Sequence, residues 1–119
     1  MNLIEDIYMM LTDKHLLEMA NMQPRETGLP AVIFISYKGI VKHGPRIKVS
    51  NVAGTFDPRD NFTMTIENYP RIIGRCKLKK SDVEDISDWI LLNRDHLLKI
   101  WNHGGEMSLH DVAIGFKKI

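Results

Sequence analysis

Arg46-Ile47-Lys48-Val49-Ser50 alternates between polar and apolar residues, the period-two pattern of a strand with one face on a core and the other in water. Working outward, the same alternation returns in residues 62–66, where Phe62, Met64 and Ile66 oppose Thr63 and Thr65. It returns again in residues 71–78, where Ile72, Cys76 and Leu78 oppose Arg71, Arg75 and Lys77, although Ile73 falls on the polar side. Glu67-Asn68-Tyr69-Pro70 has the length of a hairpin turn between these two runs. Upstream, Ala31-Val32-Ile33-Phe34-Ile35-Ser36-Tyr37 is apolar, β-branched and aromatic between Pro30 and Gly39, which predicts a central strand buried on much of both faces. Residues 51–60 contain Gly54, Asp57 and Pro58 and lack periodicity, so they read as a loop.

Helical spacing brackets these strands. Leu3, Ile4, Ile7, Met10 and Leu11 share one side, and Thr12-Asp13 offers a new N-cap before residues 15–20, giving two short N-terminal helices that end before Gln23-Pro24. Downstream, Ser81-Asp82-Val83-Glu84 has the form of a capping box. Val83, Ile86, Trp89, Ile90, Asn93, Leu97, Ile100 and Trp101 then fall within about 120° of arc, which predicts one long amphipathic helix over residues 81–102 that Gly104-Gly105 terminates. Asn93 sits inside the apolar stripe, where an amide needs partners or costs about 1–3 kcal/mol, so it reads as a satisfied core amide holding a nearby loop such as residues 51–60. Ser108 resembles a second cap, with Val112, Ile114 and Phe116 anchoring a last turn or short strand.

Grouped strands with helices at both ends define an α+β class: a roughly four-stranded, mainly antiparallel sheet with one open basic face, packed by the long C-terminal helix and the two N-terminal helices. The core is expected to gather Ile47, Val49, Phe62, Met64, Ile86, Trp89, Ile90, Leu97 and Trp101. At 119 residues, without repeats or a linker, residues 1–119 read as one domain. A single cysteine, Cys76, excludes an intramolecular disulfide, and residues 1–22 lack the basic start of a secretion signal, so a cytoplasmic location and no membrane partner are expected.

The net charge of +1 hides a strong partition. Residues 1–37 carry two basic against five acidic groups, residues 38–80 ten against three, and residues 81–119 four against seven. The +7 of the middle segment exceeds what solubility requires and points to an anionic partner, a nucleic acid or an acidic protein surface, met by Lys42, His43, Arg46, Lys48, Arg71, Arg75 and Lys77. The competing reading is a solvated surface whose charges neutralise the acidic helices. Phe34, Tyr37 and Tyr69 are the aromatics available for stacking on bases, Phe34 being better suited to the core.

Catalytic signals are sparse. His96 and His103 are about 10.5 Å apart along a helix, too far to share a metal, and His15, His43 and His110 are scattered. No phosphate-binding glycine loop or nucleophile elbow is present, and Cys76 occupies an inward strand position, so no metal and no cofactor are expected. Binding is favoured over catalysis, and homo-oligomerisation stays open. Two alternatives remain: an inhibitor or antitoxin-like protein binding through Asp85, Asp88 and Asp95 on its acidic helices, and a metal-independent nuclease-like toxin using Lys42, His43 and Arg46.

The segments His43-Gly44-Pro45-Arg46-Ile47-Lys48-Val49 and Asn93-Arg94-Asp95-His96-Leu97-Leu98-Lys99-Ile100-Trp101-Asn102 resemble a family of small bacterial domains of unknown function, found near toxin–antitoxin-like genes. That family carries an H-x-P-x-x-x-V strand followed by an N-R-x-x-L-L-x-x-W-N helix, and the resemblance covers about residues 31–102. Where members usually have a second histidine, this chain has Arg46 and Lys48. The resemblance implies a compact α+β accessory protein of bacterial or phage type and implies no activity.

Overall fold

The computed structural model describes residues 19–36 and 43–118. Five strands, β1 (Met19–Met22), β2 (Ile33–Ser36), β3 (Arg46–Ser50), β4 (Asn61–Thr65) and β5 (Ile72–Ile73), form one antiparallel sheet in chain order, each pairing with its sequence neighbour. The described residues also form four helices, α1 (Pro24–Thr27), α2 (Lys80–Leu92), α3 (Arg94–His103) and α4 (Leu109–Ile114), with the 3-10 turn Gly104–Glu106 after α3. The class is α+β, as the sequence pattern implies.

The register explains the alternation. Ile33 pairs with Val49 and Val49 with Phe62, while Ile35 pairs with Ile47 and Ile47 with Met64, so these six side chains share the inner face and each is 0–1 % exposed. Ile86, Trp89 and Ile90 of α2 and Leu97 and Ile100 of α3 close the same cluster from the other side. Trp101 is buried as well, so all nine expected core residues lie inside. The opposite, outer face carries the intervening positions: Phe34 opposite Lys48, Lys48 opposite Thr63, and Thr63 opposite Ile73.

Four sequence expectations are corrected. The strand expected over residues 71–78 is only the two-residue β5, with Ile72 and Ile73 both exposed, and it stops where Gly74 takes a left-handed φ of 99°. Met19 and Ala20, read as the end of a helix, belong to β1, which pairs with β2 and buries Met22; cross-strand pairing overrides local helical spacing there. The first expected helix and most of the second lie outside the described residues. The long helix is two helices, because Asn93 leaves helical geometry (φ −108°, ψ 15°) and separates α2 from α3. The capping box does not form either: α2 begins at Lys80, one residue early, where the Asp82 and Val83 N–H groups donate to the Lys79 carbonyl and no side chain caps the end. Ser108 does cap α4, its hydroxyl accepting from the Asp111 N–H.

Candidate binding surface

The outer face of β3 is the centre of the surface. Lys48 is exposed between the buried Ile47 and Val49, and Arg46, half-buried, lies two residues away on the same side, at a strand spacing of about 7 Å. Arg46 pairs with Thr65, whose N–H donates to the Arg71 carbonyl, so Arg46, Thr65 and Arg71 form a row across three adjacent segments. Arg46 itself is steadied by Nε–H donation to the Gly44 carbonyl at 3.3 Å.

Two of the expected cations already have acidic partners. Arg71 Nε and Nη2 donate to the two oxygens of Glu67 at 3.0 and 3.1 Å, and the Thr65 hydroxyl donates to the same carboxylate. The Arg71 guanidinium, with help from Thr65, holds the Glu67 carboxyl below its ordinary range, and Glu67 raises Arg71 in return. Lys77 Nζ lies 2.8 Å from Asp60 Oδ2, and this bond, supported by Asn51 and by the charge of Arg75, lowers the Asp60 carboxyl. The third ion pair among the described residues, Asp57 with Arg59, lies within the loop between β3 and β4. None of the three joins the sheet to an acidic helix. Lys48 and Arg75 carry no side-chain ion pair or hydrogen bond among the described residues, and both are exposed.

The loop between β3 and β4 is built onto the sheet rather than swinging free. Ser50 Oγ donates to the Thr55 carbonyl at 2.6 Å and accepts from the Val52 N–H, and the Phe56 ring stacks on Phe34 at a 4.5 Å centroid distance. Phe34 is therefore on the outer face but covered, neither a core residue nor an open stacking platform. Asn51 links the loop to the segment after β5, donating to the Arg75 carbonyl and accepting from the Lys77 N–H. Tyr69 is 87 % exposed at the tip of the β4–β5 turn. Sequence reading missed Asn51, Glu67 and Asp60 as organisers of the cations; the four-residue spacing of Glu67 and Arg71 was the one signal available.

Lys42 and Tyr37 lie outside the described residues. The His43 ring stands 5.5 Å from the Trp101 ring of α3, with Nδ1 3.1 Å from the Gly44 carbonyl oxygen, so it packs toward the helical layer while Arg46 and Lys48 turn away from it. Cys76 is half-buried against the core. Among the described residues no group of three or more His, Cys, Asp or Glu side chains is placed to hold a metal, and no helix is long and apolar enough to cross a membrane. Comparison with protein-family models, with curated proteins and with solved structures finds no match.

Proposed function

We propose that the chain is a binding or regulatory module for an anionic partner, an accessory protein of the bacterial or phage type its sequence resemblance implies. The observation that carries this reading is β3, where Lys48 stands exposed and Arg46 half-exposed on the side of the sheet opposite the buried Ile47 and Val49. Arg75 adds a third cation with no ion pair among the described residues, and Arg71 and Lys77, fixed by Glu67 and Asp60, add oriented donors rather than net charge. A surface of this kind gains affinity by releasing counterions, which makes binding sensitive to salt.

Binding to a generic polyanion such as heparin is expected to weaken about 10- to 100-fold between about 50 and 200 mM salt. The double charge reversal Lys48→Glu with Arg75→Glu abolishes it without unfolding the chain, since both side chains are exposed. Binding that ignores salt, or that survives the double variant, overturns the proposal. A second reading keeps one observation of its own: Asp85 and Asp88 of α2 and Asp95 of α3 are exposed and make no ion pair among the described residues. Tight capture of a polylysine peptide that is lost in Asp85→Lys with Asp88→Lys, with no polyanion binding, would favour an inhibitor-like role through the helices instead.

A further inference from the structure

The arrangement of charge and aromatic groups narrows the partner. Protein-binding patches place a desolvated apolar core in the middle and charges at the rim. Here the order is reversed. Lys48 occupies the centre of the outer face, with Thr63 and then Ile73, 40 % exposed, beyond it across the sheet, and the one aromatic of that row, Phe34, is already stacked under Phe56. The nearly bare ring is Tyr69, displaced to the turn that leads into Arg71.

Such a layout, a row of cations with an exposed aromatic ring two residues before its last member, suits a flexible polyphosphate with π-faces to stack. Single-stranded nucleic acid has that chemistry: its phosphates follow the cations and an unpaired base stacks on the ring. Arg46 and Lys48 are about 7 Å apart along β3, and Arg71 lies about 10 Å from Arg46 across two strand spacings, so the donors lie along a path rather than around a point. Arg71 spends two of its five N–H donors on Glu67, which leaves three facing other directions on a guanidinium held in place. A duplex hides its base faces from Tyr69, and an acidic peptide does not carry a π-face on every charged unit as a nucleotide does.

We infer that the partner is a single-stranded nucleic acid, its phosphates on Arg46, Lys48 and Arg71 and one unpaired base stacked on Tyr69. The inference rests on the anionic-partner reading above and deepens it.

The test is fluorescence anisotropy at about 50 mM salt with three labelled probes: a single strand of about 12 nucleotides, the matching duplex, and a polyglutamate peptide of similar charge. The single strand is expected to bind most tightly. Tyr69→Ala weakens it about 10-fold while Tyr69→Phe keeps the wild-type affinity, because stacking needs the ring and not the hydroxyl. The variant melts at the wild-type temperature, since Tyr69 makes no hydrogen bond among the described residues. A duplex that binds as well as the single strand, or Tyr69→Ala binding like wild type, overturns the inference. Preference for polyglutamate overturns it but leaves the anionic reading standing, whereas no binding to any of the three removes both.

Discussion

Three hydrogen bonds converge on the Asn93 carboxamide: Nδ2 donates to the Trp89 and Lys117 carbonyls and Oδ1 accepts from the Lys117 N–H. At 3 % exposure this is a satisfied core amide, but the segment it holds is the C-terminal tail and not the loop at residues 51–60. Around it the tail is fastened by ring packing: Phe116 stacks on Trp89 at 5.2 Å and meets the edge of His96 at 4.6 Å, and His96 Nε2 donates to the Val112 carbonyl at 2.7 Å. Gly115 completes the fit. A Cβ at that position would stand 2.0 Å from His96 Cε1, although the backbone φ of −77° suits any residue. The requirement is thus space, not conformation. Gly115→Ala is expected to destabilise the fold by about 1–3 kcal/mol through overpacking, and to raise amide exchange in residues 108–118 above that in the sheet. Urea denaturation with hydrogen exchange reads both; an unchanged midpoint would show that the imidazole moves aside freely.

Among the elements, the two helix starts make a controlled comparison. Ser108 accepts from the Asp111 N–H and caps α4, whereas Ser81 lies inside α2, past its cap at Lys79, with no hydrogen bond from its hydroxyl among the described residues. Ser108→Ala is expected to cost about 1 kcal/mol and Ser81→Ala less than about 0.5 kcal/mol by thermal unfolding, the reverse of what the capping-box motif implies. Legibility in the sequence followed the same division. The alternation in β3 and β4 and the apolar stripe from Ile86 to Trp101 are set by burial on one face, which a period exposes, so the core and the outward placement of Arg46 and Lys48 could be read directly. What could not be read depends on distant partners. Met19 and Ala20 take strand geometry because residues 35 and 36 are there to pair with them, and Asn93 interrupts the helix while holding a backbone 24 residues further on. On the candidate surface, the parity of Arg46 and Lys48 was legible, but Arg75 and Lys77 lie beyond the end of β5, and the bonding of Lys77 to Asp60 spans 17 residues and a folded loop.

Across the whole molecule the acidic and basic segments could stabilise each other or stand apart, and salt distinguishes the two. If the sheet cations neutralised the helix carboxylates, screening would remove an attraction and salt would lower stability. The three ion pairs seen among the described residues instead lie inside residues 57–77, where solvent reaches every partner and screens the attraction. Lys48 remains without an acidic partner among the described residues on a sheet whose inner face, not its outer one, meets α2 and α3, and Arg75 beyond β5 makes no ion pair there. Within a segment carrying +7, the larger long-range term is repulsion among the cations. Raising sodium chloride from about 20 to 500 mM is therefore expected to leave stability unchanged or to raise it by up to about 1 kcal/mol, measured by urea denaturation at neutral pH. Lys48→Gln should move stability in the same direction at low salt and make the salt response smaller, because it removes one of the repelling charges. A marked loss of stability with salt would mean that the cations are held by the acidic helices, and the surface would then have no unmet charge to offer a partner.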